Sequence, residues 1–293
     1  MGWEESRSPM TGDRNEQMDR FLKHGEKSIA PQSVYSHKSR KWMRCDGNMN
    51  VNFPGLKGKT AIITGASSGI GLATAQLLAE NGVKVGLVSR SKEILEEISG
   101  TLPGSRAFPT DMTKIPQIRT MVNRAMEYFG RIDILINNAG QGYDAPVEKT
   151  EIGTFRYIYD LNVIGPLVAM QQVIPIMRAQ GGGTIINISS GTALMHLPGM
   201  SPYSSSKRAL AGISLAARQE LQADNIAVSV VYPYITLTNF EKNTIRAVPV
   251  PEDNGEPTGP FAPDSAEFVA EKIAGGIVSG EAEIFSHDWM KER

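Results

Sequence analysis

From Leu56 onward, short apolar runs rich in β-branched residues alternate with longer stretches of helical period. That alternation predicts βαβ units wound around a parallel sheet. The first run, Thr60 to Thr64 (TAIIT), reads as a buried strand, and Ile70, Ala73, Thr74, Leu77 and Leu78 then share one helical face until Gly82 ends the helix. Lys84 to Ser89 (KVGLVS) is the second strand. A helix near Lys92 to Ile98, a strand near Arg106 to Phe108, a helix from Lys114 to Phe129 and a strand Ile132 to Asn137 (IDILIN) follow. Thr150 is placed to cap a long helix reaching Gln180, where Gly181, Gly182 and Gly183 stop it before the strand Thr184 to Ser189 (TIINIS). A helix from Tyr203 to Ala223 leads to the strand Ile226 to Val231, and a last helix, Ser265 to Val278, to a short strand at Ala282 to Phe285. The expected fold is α/β, a doubly wound parallel sheet in three αβα layers, with residues 54–293 as a single domain. Within it, the Pro-rich segment 234–263 is too long for a plain connection and is expected to be a substrate loop.

Residues 1–53 lack any such period and are expected to form an extension without fixed structure, dense in Lys and Arg from Lys38 to Arg44. Met49 opens a lead-in of ordinary length before the first strand, so residues 1–48 are expected to be dispensable for catalysis. Composition narrows the function classes. The 30 Lys plus Arg against 31 Asp plus Glu leave a net charge of -1, which offers no electrostatic reason to bind nucleic acid or an anionic membrane. A single Cys, Cys45, excludes an intramolecular disulfide framework and a multi-thiolate zinc site. No apolar run approaches the roughly 20 residues of a membrane span, and the first 30 residues lack the apolar stretch of a secretory signal. A cytoplasmic protein is expected.

Candidate chemistry begins at Thr64 to Gly71 (TGASSGIG), between the first strand and its helix. A helix N-terminus there directs free N–H groups at a diphosphate, and the missing side chains of Gly65, Gly69 and Gly71 let a cofactor approach the backbone. About 20 residues further on, where a dinucleotide fold reads the adenosine ribose, stand Ser89 and Arg90. A guanidinium offers a fork of donors to a 2′-phosphate, so NADP is expected over NAD. Tyr203 and Lys207 are four apart on one helical face. An ammonium beside a phenol lowers the phenol pKa toward working pH, as a general acid/base facing a carbonyl requires. Taken alone, such a pair is more often a half-buried Tyr beside an exposed Lys. No cluster of His, Cys and carboxylates has metal-ligand spacing, so no metal is expected.

TGASSGIG, NNAG at Asn137 to Gly140, NISS at Asn187 to Ser190 and YSSSK at Tyr203 to Lys207 occur in this order and at compatible spacings. Together they resemble the short-chain dehydrogenase/reductase family in its compact single-domain form, from about Leu56 to Phe285. The resemblance implies a Rossmann-like fold and hydride transfer between C4 of a nicotinamide and a ketone, aldehyde or secondary alcohol. It makes Tyr203 the acid/base, Ser190 the group that hydrogen-bonds the substrate oxygen, Lys207 the ribose contact that tunes the Tyr, and Asn162 the holder of a relay water. The cofactor set it implies is Gly65, Ser67, Ser68, Gly69, Ile70, Gly71, Ser89, Arg90, Asp111, Met112, Asn138, Ala139, Gly140, Tyr203, Lys207, Pro233, Thr236 and Thr238. Tyr234 stands where the family usually has Gly. His196 reads as a pocket-wall residue, and Met195, Met200 and Tyr143 as packing or as the shape of an apolar substrate site. The resemblance further implies a homodimer or homotetramer through the two long helices. Rival readings are a 3-oxoacyl carrier-protein reductase, whose usual Val-Asp-Gly-Gly ending is absent here, and a redox-sensing scaffold that binds NADP without turnover.

Overall fold

A computed structural model describes residues 52–248 and 262–292; the expectations for the N-terminal extension, for Met49, and for the middle of the substrate loop lie outside the described residues. The strands are β1 (Thr60–Thr64), β2 (Lys84–Ser89), β3 (Ser105–Pro109), β4 (Ile134–Asn137), β5 (Tyr143–Asp144), β6 (Gly183–Ile188), β7 (Ile226–Tyr232), β8 (Ile245–Arg246) and β9 (Glu283–Phe285). Seven of them form one parallel sheet in the order β3-β2-β1-β4-β6-β7-β9. The chain winds outward from β1 to β3, then returns to β4 on the other side of β1. This reversal opens a crevice beyond the carboxyl ends of β1 and β4, where doubly wound folds bind ligands.

The helices are α1 (Gly69–Glu80), α2 (Lys92–Thr101), α3 (Ile115–Phe129), α4 (Ile152–Tyr159), α5 (Gly165–Ala179), α6 (Ser201–Glu220) and α7 (Ala266–Ser279). Leu78 of α1, Leu95 of α2 and Val269, Ile273 and Ala274 of α7 bury against Ile63, Val85, Leu87 and Ile136 on one sheet face. Ile118 and Val122 of α3, Ala169, Val173 and Met177 of α5 and Ala217 of α6 cover Ile62, Leu135, Ile185 and Val228 on the other. Both faces of the sheet are therefore dry, which explains why its strands read as continuous apolar runs rather than as alternation. Each fully buried Ile or Leu contributes about 1.5–3 kcal/mol.

Three details depart from the sequence reading. The helix after β5 starts at Ile152, and Glu151 rather than Thr150 caps it, accepting from the Gly153 N–H at 2.7 Å and from the Thr154 N–H; Thr150 Oγ1 instead donates to Pro146 O. A π-helical turn, Asp160–Ile164, joins α4 to α5, making one helix from Ile152 to Ala179 whose most apolar stretch has a mean hydropathy of 1.2. By length and composition it could cross a membrane, contrary to the expectation that no apolar run is long enough, but half of that stretch is buried inside the fold, as in the core helix of a soluble protein. Finally, β5 pairs in parallel with β8 in a two-stranded sheet that links the turn after β4 to the segment after β7. Strands of two residues are too short to carry a period.

Candidate active site

The first βα turn is built so that only glycine fits it. Gly65 has φ +70°, and a Cβ there would stand 2.8 Å from Asn138 Nδ2; a Cβ on Gly71 would stand 2.3 Å from Gly65 O. Helix α1 therefore starts flush against the end of β1. Its N-cap, Ser68, makes no side-chain bond to the first turn, so the N–H groups of that turn are open to an anion from the crevice. Thr64, which the sequence reading left out of the site, holds the other wall: its Oγ1 accepts from the N–H groups of Asn138 and Ala139 at 3.0 Å each and donates to Ile136 O at 3.3 Å. Asn138 Nδ2 returns a bond to Thr64 O at 3.0 Å. The glycine turn and the NNAG turn are thus one joined surface.

At the outer end of this surface stand Ser89, whose Oγ accepts from Ser91 N at 3.2 Å, and the exposed Arg90. Asp111 lies beside them. Burial works against its charge, but bonds from the Thr113 N–H and Oγ1, with Arg90 and Lys114 nearby, together hold its pKa below the usual carboxylate value. Met112 is buried behind it.

At the inner end the catalytic candidates converge from three elements. Ser190 follows β6, Tyr203 and Lys207 lie on the first turns of α6, and Asn162 sits in the π-helical turn. All but Ser190 are at least 93% buried: Tyr203 is 7%, Lys207 3% and Asn162 0% exposed. Lys207 Nζ donates to Ile188 O at 2.8 Å and lies 5.8 Å from the centre of the Tyr203 ring. Ser189 Oγ donates to Lys207 O at 2.9 Å, which ties this turn of α6 to the end of β6. Asn162 Nδ2 donates to Gln141 O and to Ser206 Oγ, while its Oδ1 accepts from Gln141 N. Gly140 is closely approached as well: a Cβ there would lie 3.1 Å from Lys207 Nζ and 3.2 Å from Asn162 Oδ1, so either side chain would have to give by a few tenths of an ångström. The NNAG turn, Asn162 and Lys207 therefore meet at one place.

The electrostatics overturn one expectation. The Tyr203 pKa is not lowered but pushed up to about 12: burial of the phenol dominates, the Ser190 hydroxyl bonded to it pulls the other way, and the negative charge of Asp144 adds to the rise. Burial likewise lowers Lys207 to about 8. The ammonium lies 5.8 Å from the ring centre and donates to Ile188 O, and burial of the phenol outweighs its pull. A helical spacing of four brings two side chains to one face but says nothing about how dry that face is.

The segment after β7 arches over these groups as a strap. Pro233 O accepts from Gly191 N at 2.8 Å. Tyr234 needs no glycine conformation, because Asn225 is the one non-glycine with positive φ among the described residues. Its ring packs edge-on against His287 and Trp289, a use that explains a Tyr at this place. Thr236 and Asp264 bridge the neck of the strap, and Thr236 Oγ1 donates to Tyr234 O. Beyond it the Thr238 methyl group lies against Gly69. The Phe240 ring covers the Tyr203 ring with centroids 5.5 Å apart. Arg246 faces Asp144 at 4.0 Å and bonds Glu241, and Gln141 Nε2 donates to Asn243 O while its Oε1 accepts from Tyr157 OH. Sequence reasoning missed Thr64, Gln141, Asp144 and Phe240. Thr64 lies within TGASSGIG and Gln141 directly follows NNAG, whereas nothing local marks Asp144 or Phe240. Tyr143 is buried, with its hydroxyl accepting from Glu151 N at 2.8 Å, so it packs rather than shaping a pocket. His196 is exposed, beside Arg208. Among the described residues no group of three or more His, Cys, Asp or Glu is arranged to hold a metal ion.

The family model described as short chain dehydrogenase matches residues 59–248. The chain belongs to the short-chain dehydrogenase/reductase family, and is an NAD(P)-dependent oxidoreductase of that family. It is 34% identical over 238 residues to a 3alpha-hydroxysteroid dehydrogenase of Mediterraneibacter gnavus, covering 74% of this chain and 95% of that protein. Among solved structures it resembles a 3-ketoacyl-(acyl-carrier-protein) reductase of Brucella melitensis complexed with NADH, at TM-score 0.71 and 28% identity, covering 78% of this chain and 97% of that one. It likewise resembles L-sorbose reductase of Gluconobacter frateurii complexed with NADPH and L-sorbose, at TM-score 0.71 and 28% identity, with 79% and 95% covered.

Proposed function

We propose that the chain is an NADP-preferring reductase of ketones or aldehydes in which Tyr203 is the proton donor. The observation that carries this reading is the convergence of Ser190, Tyr203, Lys207 and Asn162 on one buried point at the end of the crevice. A phenol with its pKa near 12 is fully protonated at neutral pH, which is the state a general acid needs to protonate a carbonyl oxygen. Ser190 donates to that oxygen and holds it against the phenol. The bound nicotinamide supplies the hydride. Lys207 keeps a positive charge near neutral pH and offers its remaining N–H groups to the ribose and, through Asn162, to a proton path from solvent. The glycine turn, with Ser67, Ser68, Gly69 and Ile70, would receive the diphosphate on open N–H groups, and the joined NNAG turn would receive the adenosine ribose.

Arg90 supports NADP, because an exposed guanidinium at the adenosine end presents a fork of donors to a 2′-phosphate and no carboxylate at positions 89 or 90 opposes it. Residues 54–293 are the working domain in this reading, the protein is cytoplasmic, and it acts as a homodimer or homotetramer. A second reading, a 3-oxoacyl carrier-protein reductase, is favoured by the likeness to the Brucella melitensis enzyme.

The test is a screen of carbonyl compounds, with acetoacetyl thioesters among them, followed by NADPH and NADH oxidation at 340 nm, with Tyr203→Phe as the control. Phe keeps the ring and removes the proton, so turnover should fall by roughly 10² or more with NADPH binding retained. Near-normal turnover in Tyr203→Phe would remove the catalytic assignment, and equal kcat/KM for the two coenzymes would remove the NADP preference.

A further inference from the structure

The hydroxyl of Ser190 has an immediate neighbour that the catalytic set does not include. Ser190 is the N-cap of a short 3-10 turn, Gly191–Leu194, and its Oγ accepts from Thr192 N at 3.2 Å. Thr192 Oγ1 donates to the same oxygen at 3.0 Å. A serine hydroxyl has two acceptor lone pairs and one proton. With both lone pairs taken by Thr192, the proton is all that Ser190 has left to offer.

The turn that presents Thr192 is held from several sides. Gly191 N donates to Pro233 O at 2.8 Å, Ala193 N donates to Ser190 O at 3.0 Å, and Arg208 Nε donates to Ala193 O at 2.8 Å. Gly191 and Ala193 are buried on either side, so Thr192 cannot drift from Ser190 without breaking the turn. With Thr192 Oγ1 in the donor role, the Ser190 proton is turned away from Thr192, toward the Tyr203 phenol, whose pKa the Ser190 hydroxyl pulls down, and toward a substrate oxygen lying between the two.

We propose that Thr192 is a positioning residue that commits the Ser190 hydroxyl to donating its proton toward the substrate oxygen. This inference rests on the reading of Ser190 as the group that contacts the substrate. In the absence of the Thr192 hydroxyl, Ser190 could equally accept a bond from the Tyr203 phenol, and that would consume the proton the substrate oxygen needs. Thr192 removes this unproductive arrangement. A Val at position 192 keeps the branched shape and the backbone N–H, whereas a Ser restores the hydroxyl.

The test measures reduction of 2,3-butanedione, or of the best compound from the carbonyl screen, by NADPH in Thr192→Val, Thr192→Ser, Ser190→Ala and the double variant Ser190→Ala with Thr192→Val. Loss of one oriented hydrogen bond predicts a fall in kcat of about tenfold in Thr192→Val. NADPH affinity, read by fluorescence, should stay unchanged, and Thr192→Ser should stay within about twofold of the starting protein. In the Ser190→Ala background Thr192→Val should have no further effect, because there is no hydroxyl left to orient. Unchanged or higher kcat in Thr192→Val would overturn the proposal, as would an equal loss in the Ser190→Ala background or failure of Thr192→Ser to restore activity. Should Thr192→Val lose its thermal transition, the ratio of Thr192→Ser to Thr192→Ala decides by the same criterion. If Ser190→Ala itself keeps full activity, it is the broader active-site reading that fails.

Discussion

The floor of the crevice and the strap above it are built by opposite means. On the floor, Asn137 Nδ2 donates to Asn187 Oδ1 at 2.8 Å, Asn187 Nδ2 donates to Ser214 Oγ at 2.7 Å, and Asn162 donates to Ser206. None of these five side chains is more than 1% exposed. They cross-link β4, β6, the π-helical turn and α6, the elements that carry the catalytic candidates. The strap instead leaves Leu237 67% and Ile235 46% exposed and is held by separate small contacts: the Pro233 carbonyl, the Thr236–Asp264 bridge, a two-residue ladder, the Arg246–Asp144 pair at 4.0 Å, the Gln141 amide and the Phe240 ring. A buried polar group is costly to leave unpaired, so these bonds hold the catalytic candidates in one geometry, although Asn137 Oδ1 itself has no protein partner among the described residues. Exposed contacts are individually weak, so the described part of the strap is expected to loosen locally without loss of the fold.

The largest expected effect follows from breaking the floor. In Asn187→Leu the buried Asn137 amide loses its main acceptor, at a cost of about 1–3 kcal/mol. For a chain of this size the melting temperature should fall by roughly 3–10 °C, and turnover should fall with it because α6 loses one of its ties to the sheet, the Asn187–Ser214 bond. A calorimetric scan with Tm unchanged would mean that the network does not hold the floor.

Breaking the strap should do the reverse. Arg246→Ala removes the charges facing Asp144 and Glu241, a partly exposed pairing worth on the order of 0.2–1 kcal/mol. Tm should stay within about 3 °C, while KM for the carbonyl compound rises several-fold through a less populated closed strap. If Tm dropped as far as in Asn187→Leu, floor and strap would be one cooperative unit and the contrast would be lost.

The third test is a pH dependence. Folded Lys207 releases its proton near pH 8, against 10.5 for an unburied lysine. Between those values the unfolded chain binds the extra proton, so the contribution of Lys207 to stability rises with pH through this window. Tyr203 works in the opposite sense, but only above its unburied value of 10.0, as pH rises toward about 12. Urea midpoints at pH 7.5 and 9.5 should therefore climb more steeply in the starting protein than in Lys207→Met, and identical slopes would contradict the burial of this lysine. Reduction itself should decline above about pH 8 as the same charge is lost.

The βα alternation, the parallel sheet, and the motifs TGASSGIG, NNAG, NISS and YSSSK were all legible along the chain, because each depends on a local period or on the backbone needs of one turn. Both faces of the sheet are dry, so the strands could be found as plain apolar runs. The tertiary structure alone decided how Thr64 joins Asn138 across 74 residues, why Glu151 caps α4, and how β8 reaches β5. It decided the direction of the Tyr203 shift as well: the charge of Lys207 can be read from its letter, but the dryness of the phenol is set by Phe240, 37 residues further along, and by the sheet beneath. Solvent exclusion and long-range hydrogen bonds belong to the packed whole, and no window of sequence contains them.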